Sequence, residues 1–207
     1  VYKRQLLNDV DLCFSCINRL LVSHDLKPLD TLSQYREVFT FPIEDYYKRV
    51  GFDFDKIPFS MLAHEYMEDY QEKSYACDLH SDVLDVVNKA KNLGFSQTVL
   101  SASKMDYLLK QMETLHVDDL FDSIYGINDI YAKSKVELAH AFKQTCSLDD
   151  EIYFVGDSVH DYEVAKSIGA KCILVTTGHQ NRATLESVNV PVMDSLMESL
   201  DLIYERD

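Results

Sequence analysis

The sequence has no tryptophan, few glycines and prolines (6 and 4 of 207 residues) and few basic residues. Its 20 lysines and arginines face 35 aspartates and glutamates, which gives a formal net charge of −15. Nucleic acids are bound largely through clustered basic side chains, so this deficit argues against nucleic acid as a partner. A small phosphorylated molecule is still compatible with this charge, because backbone N–H groups, one lysine or a cation can bind its phosphate.

Long hydrophobic runs are also missing. The longest strictly apolar stretches have four residues, at 152–155 and 172–175, so the sequence predicts no membrane-spanning segment. No secretory signal pattern is present at the start. The chain opens on Val1 rather than Met, from which we expect that its natural beginning lies further upstream.

The five cysteines are an odd number in a chain without a signal, which is typical of a reduced, cytoplasmic protein. Cys13 and Cys16 have the C-x-x-C spacing of redox and zinc sites. Both lie on the apolar face of a predicted helix, however, and no second pair follows. We therefore predict that they are thiols of a hydrophobic core.

Hydrophobic periodicity divides the chain into two parts. Up to about residue 74 the apolar residues recur at helical spacing, which predicts four consecutive helices, and Thr31 and Gln34 form a capping-box pattern before the second. Beyond residue 76, short apolar strands at 97–100, 123–126, 151–155 and 172–175 alternate with amphipathic helices. This alternation predicts an α/β domain with a parallel sheet.

Polar residues follow three of these strands. Ser101, Ala102, Ser103 and Lys104 come after the first, the stretch 156–161 after the third and the stretch 176–179 after the fourth. In an open parallel sheet the binding crevice lies at the carboxyl ends of the strands, so these residues are the candidates for a site. A hydroxyl, two carboxylates four positions apart and a nearby lysine suit phosphate chemistry with Mg²⁺, which prefers carboxylate and phosphate oxygens.

These residues carry a resemblance to a known family. Ser101-Ala102-Ser103 after a strand, Lys135, and the stretch 155–161 with Asp157 and Asp161 resemble motifs II, III and IV of the haloacid dehalogenase superfamily. The layout is similar to its phosphoglycolate phosphatase-like branch, in which a four-helix cap is inserted into a Rossmannoid core. The resemblance implies a remnant of the core at 1–9, the cap at 10–76 and the α/β core at 77–207.

The resemblance also implies roles for these residues. Ser101, with Ala102, would bind the phosphoryl group, Lys135 would stabilise it, and Asp157 and Asp161 would place Mg²⁺. Lys133 competes for the lysine role; we prefer Lys135 because it opens a helix and stands 22 residues before Asp157. The implied activity is the hydrolysis of small phosphate monoesters through an aspartyl-phosphate.

The first motif of the family, a buried strand that ends in Asp-x-Asp-Gly-Thr, has no match. The stretch 6–9 is similar only to the residues that normally follow it, and 1–5 is polar where an apolar central strand is expected. Two Asp-x-Asp pairs, which begin at Asp9 and Asp53, have the spacing without the Gly-Thr, so neither is a good candidate for the nucleophile. We therefore expect the chain to be truncated and inactive alone, with a gap beside the strand that ends at Ser101.

Other interpretations stay open at this point. Ser101 and the stretch 157–161 match ordinary helix caps and turns, and Lys135 matches a solvated lysine at a helix start. A mutase or phosphotransferase of the same fold, or a non-catalytic binding module that has lost its nucleophile, would carry the same motifs. The sequence identifies neither the substrate nor the oligomeric state, and neither His160 nor His179 receives a role from it.

Overall fold

Four helices make up the first part of the chain, as the periodicity predicts. The structure, a computed structural model, describes residues 6–127 and 135–205. The helices of this part, which we call the cap, are α1 (Val10–Ser23), α2 (Leu32–Val38), α3 (Ile43–Arg49) and α4 (Phe59–Ser74).

The cap has a hydrophobic core of its own. Helices α1 and α4 pack against each other and bury the side chains of Ile17, Leu21 and Leu62 completely. Aromatic rings fill much of the remaining space, and Tyr35 meets Tyr46 edge to face with ring centroids 6.0 Å apart. Such edge contacts add to the free energy gained from burial of the rings, so this cluster holds the short helices α2 and α3 in place.

The predicted capping box is present in altered form. The side chain of Thr31 accepts a hydrogen bond from the backbone N–H of Gln34 at 3.2 Å, as predicted. The side chain of Gln34 reaches back to the N–H of Asp30 at 2.8 Å rather than to that of Thr31. Two N–H groups at the start of α2 are thereby satisfied.

The cysteines are free thiols, and those of the C-x-x-C pair are buried in the cap, as predicted. Burial, followed by a hydrogen bond to Asp69, raises the pKa of the Cys16 thiol to about 12. Since the thiolate is the form that attacks disulfides and binds metals, this environment keeps Cys16 inert.

The second part of the chain alternates helices and strands. Its elements are α5 (Val83–Asn92), β1 (Thr98–Lys104), α6 (Met105–Thr114), a 3₁₀ turn (Asp118–Leu120), β2 (Ser123–Ile127), α7 (Lys135–Thr145), β3 (Tyr153–Gly156), α8 (Val159–Ser167), β4 (Lys171–Val175), α9 (Arg182–Glu186), β5 (Val192–Met193) and α10 (Leu196–Tyr204). All strand pairs are parallel, so the predicted α/β class is confirmed. No helix in this or the preceding described part combines the length and apolarity of a membrane-spanning segment.

Strand β1 is longer than predicted. It continues to Lys104, so Ser101 and Ala102 lie inside the strand and not after it. Its pairing with β2 is irregular between Leu100 and Lys104, and this irregular stretch contains both residues. Helix α9 and strand β5 have no counterpart in the prediction, because five and two residues are too few to show a period.

The strands form two separate sheets among the described residues. One contains β1 and β2, and the other has the order β3-β4-β5. Between β1 and β3 lies a cavity of about 450 Å³, bounded by Thr98 on one side and by Tyr153 and Val155 on the other. Each of these two strands therefore has one edge without a hydrogen-bonded strand neighbour in the described chain.

Candidate active site

The predicted lysine and the second predicted metal residue form a buried ion pair. Lys135, the first residue of α7, has its ammonium group against Oδ1 of Asp161, and both side chains are fully buried. Asp161 Oδ2 accepts hydrogen bonds from the Ser158 hydroxyl at 2.7 Å and from the backbone N–H of Asp157 at 3.0 Å. The Asp161 carboxylate thus links α7 to the loop after β3. Lys133 lies outside the described residues.

Gly156 makes this arrangement possible. It is the last residue of β3, and a Cβ atom at this position would overlap the side chain of Asp161. A glycine is therefore required where the carboxylate crosses the strand end. The ring of Phe154 lies under the Lys135 ammonium, with 5.4 Å from Nζ to the ring centroid, and offers it a second favourable contact.

Asp157 directly follows β3, at the carboxyl ends of the parallel strands, which we call the rim. Its side chain is buried, and Oδ2 accepts a hydrogen bond from the backbone N–H of His179 at 3.2 Å. Gly178 lies so close that a Cβ atom there would overlap the Asp157 carboxylate. The loop after β4 thus approaches the acid through its backbone.

The donors at this place fit a hard cation. Asp157 supplies a carboxylate, and the buried hydroxyl of Thr177 in the neighbouring loop has no hydrogen-bond partner in the described chain. Mg²⁺ takes one or two carboxylates and fills its remaining positions with phosphate oxygens and water. Asp161 is also predicted as a metal residue, but its oxygens already contact Lys135, Ser158 and the Asp157 N–H, so that role stays a prediction.

Ser101 lies on the other sheet of the core. It is buried, and its hydroxyl accepts a hydrogen bond from the backbone N–H of Ser103 at 3.1 Å. It shares a small cavity of about 40 Å³ with Asp9, at the start of the cap. Ala102, the next residue, lines a different cavity that extends into the cap. The predicted phosphoryl-binding residues therefore border on the cap.

His179 connects these parts, although the sequence assigns it no role. Its Nδ1 is 2.7 Å from the Tyr35 hydroxyl, and its Nε2 is 3.5 Å from Oδ1 of Asp9. Its ring stacks on Phe39 with centroids 4.9 Å apart. The one signal in the sequence was its position in a loop that follows a strand.

Two further hydrogen bonds join the same loop to the cap. Arg36 donates to the carbonyl of Gly178 at 3.1 Å, and the side chain of Gln180 donates to the carbonyl of Phe39 at 3.2 Å. Phe41 stacks on His160 of α8, with centroids 4.9 Å apart. Residues 178–180 therefore connect the cap to the loop that follows β4.

We expect Tyr35→Phe to lower the free energy of unfolding by about 1–3 kcal/mol, because the substitution takes the Tyr35 hydroxyl away from a buried nitrogen of His179. Urea denaturation measures the change. The matched control is Tyr75→Phe, whose hydroxyl receives only a long contact of 3.5 Å from Gln71, and for which we expect less than about 0.5 kcal/mol. Equal losses in both variants would contradict the bridging role of Tyr35.

The two Asp-x-Asp pairs, at 9–11 and 53–55, lie in different surroundings. Asp53 lies on the surface of the cap and pairs with Lys56 at 3.2 Å, and this contact lowers its pKa. Asp11 is exposed in the first turn of α1. Asp9 is buried and accepts a hydrogen bond from the Tyr70 hydroxyl at 2.5 Å, in addition to its contact with His179.

The comparisons with known proteins agree with the motifs. The family model of haloacid dehalogenase-like hydrolases matches residues 4–175. The chain therefore belongs to the haloacid dehalogenase-like hydrolases. A search of curated proteins finds no match.

Solved structures show the same fold. A haloacid dehalogenase-like family hydrolase from Streptococcus pneumoniae is 19% identical, with a TM-score of 0.80 over 96% of this chain and 93% of that one. A predicted phosphatase from Clostridium acetobutylicum is 18% identical, with a TM-score of 0.80 over 97% and 94%. A predicted phosphoglycolate phosphatase from Haemophilus somnus is 16% identical, with a TM-score of 0.68 over 96% and 93%.

Proposed function

We propose that the chain acts in the Mg²⁺-dependent hydrolysis of small phosphate monoesters, in which water replaces the alcohol on phosphorus and inorganic phosphate is released. The observation that carries this proposal is the arrangement around β3: the buried Asp157 follows the strand, its backbone N–H donates to Asp161, and Asp161 forms a buried ion pair with Lys135. A bound Mg²⁺ would offset the negative charge of the substrate phosphate, which the net charge of the protein repels.

The residues have separate tasks in this proposal. Asp157 is the protein ligand of Mg²⁺, and the unpartnered hydroxyl of Thr177, in the loop after β4, is a further candidate oxygen donor. Asp161 is a positioning residue, since its carboxylate holds both Lys135 and the backbone of Asp157. Lys135 provides positive charge close to the transferring group, and Ser101 donates its hydroxyl to a phosphoryl oxygen.

The attacking carboxylate is assigned to none of these residues. Asp157 and Asp161 are committed to the metal and to Lys135, and Asp9 is committed to Tyr70 and His179. Among the described residues of this site we therefore propose none as the nucleophile. The five free thiols favour a cytoplasmic location for this activity.

Binding of inorganic phosphate in the presence of Mg²⁺ tests the proposed site, because binding does not require the nucleophile. We expect Asp157→Ala to weaken this binding at least tenfold in a calorimetric titration, because it removes the proposed metal ligand. Asp53→Ala, on the exposed surface of the cap, is the matched control and should bind as the unaltered chain does. Phosphate binding that is independent of Mg²⁺ or unchanged in Asp157→Ala would refute the proposed site.

A further inference from the structure

A second cavity extends from the rim into the cap. Its volume is about 120 Å³, and it is partly open to solvent. Tyrosine and phenylalanine side chains form the largest group in its lining, among them Phe41, Tyr66 and Tyr107. An apolar cavity of about 150 Å³ binds benzene, so the space is of the order of one six-membered ring.

The cavity adjoins the smaller one that Ser101 lines, because Ser103 and Tyr70 belong to the walls of both. Ala102 and Ser103 form its wall on the side of the core, and they directly follow Ser101 in β1. The cavity is therefore positioned for the alcohol part of a phosphate monoester.

The charge of the lining limits which alcohols the cavity can bind. Among the described residues that form the cavity, Lys104 is the one charged side chain, and its ammonium is 3.3 Å from the carboxylate of Asp106. A second anionic group, such as a carboxylate on the substrate, would lose its hydration here without a free cation to replace it. The cavity favours an uncharged group.

One polar atom of the lining is without a partner. The hydroxyl of Tyr46 is buried and has no hydrogen-bond partner in the described chain. Burial raises the pKa of this phenol, so it remains a neutral donor. An unpaired buried hydroxyl is unfavourable, and a polar substituent on a bound ring would give it a partner.

From these observations we propose that the substrate is the phosphate monoester of a small, uncharged aromatic alcohol with a single ring. The ring lies in the cavity among the aromatic side chains of the cap, and the phosphate lies at Ser101. This proposal rests on the proposed phosphate site and narrows its substrate class. Two-ring alcohols such as nucleosides are too large for the cavity, and glycolate-type alcohols are too polar.

Calorimetric titrations of the full chain with Mg²⁺ test this inference, using phenyl phosphate, glycerol 3-phosphate, inorganic phosphate and phenol as probes. We expect phenyl phosphate to bind at least tenfold more tightly than glycerol 3-phosphate. Met67 lines the cavity, so Met67→Trp should remove this difference by filling the space and should leave the affinity for inorganic phosphate unchanged. Met61→Trp, at an exposed position of the same helix, is the matched control and should preserve the difference.

The outcomes separate this inference from the proposed function. If inorganic phosphate binds but phenyl phosphate is no tighter than glycerol 3-phosphate, the aromatic substrate class is refuted and the phosphate site stands. If phenol binds to the unaltered chain but not to Met67→Trp, and phosphate binds to neither, the cavity is a binding site and the hydrolase proposal is refuted. If no probe binds, both are refuted. The comparison of ligands on the unaltered chain does not depend on the folding of either variant.

Discussion

Lys135→Met is expected to lower the free energy of unfolding by about 3–5 kcal/mol, a large fraction of the stability of a typical domain. The substitution keeps the apolar stem of the side chain and removes the ammonium group. The Asp161 carboxylate, which is fully buried, would then retain its hydrogen bonds from Ser158 and Asp157 but lose the opposite charge. An uncompensated buried charge is among the most destabilising changes that a point mutation makes.

Urea denaturation followed by circular dichroism measures this loss. Lys143→Met is the matched control, because Lys143 lies on the same helix and has no ion pair in the described chain; a change below about 0.5 kcal/mol is expected there. The double variant Lys135→Met/Asp161→Asn should be more stable than Lys135→Met alone, since it also removes the orphaned charge. A loss in Lys135→Met no larger than in the control would show that the pair is not buried as described.

Gly178→Ala is expected to weaken Mg²⁺-dependent phosphate binding by about 10- to 100-fold. A Cβ atom at this position would overlap the carboxylate of Asp157, so either the loop or the acid has to move. Mutations that disturb the surroundings of a metal ligand typically cost about 10- to 100-fold in metal affinity. The effect should appear mainly in binding, because the substitution adds one methyl group at the proposed metal ligand.

Gly94→Ala is the control for this variant. Gly94 has φ of +86°, and a Cβ atom there would meet no other atom within 4 Å. We expect that variant to lose about 1–2 kcal/mol of stability, from its left-handed backbone conformation, and to bind phosphate as the unaltered chain does. Calorimetry and urea denaturation of the two variants separate the two effects. Unchanged phosphate binding in Gly178→Ala would contradict the close approach of this loop to Asp157.

The strands and motifs were accessible from the sequence because they depend on local pattern. Short apolar runs followed by small or polar residues mark β3 and β4, and they bring Asp157 to the rim. The end of β1 was less predictable: Ser101 and Ala102 do not continue the apolar run, yet they belong to the strand. Local polarity cannot show that backbone pairing with β2 resumes at Lys104.

The contacts between the residues of the site could not be predicted from the sequence. The sequence singles out Asp157 and Asp161 together because they lie four positions apart after a strand. Only the fold shows that Asp161 pairs with Lys135, 26 positions earlier. His179 and Tyr35 are 144 positions apart, and their hydrogen bond depends on how the cap docks on the core. A single histidine in a loop gives no periodic signal from which such a contact follows.

The separation of β1–β2 from β3–β5 has a consequence for association. Unpaired strand edges are templates that take up extended peptide segments through main-chain hydrogen bonds. Here two such edges, one on β1 and one on β3, border the same cavity in the described chain. An extended peptide of parallel orientation would pair with both edges at once and join the two sheets into one continuous six-stranded sheet, with the peptide as one of its inner strands.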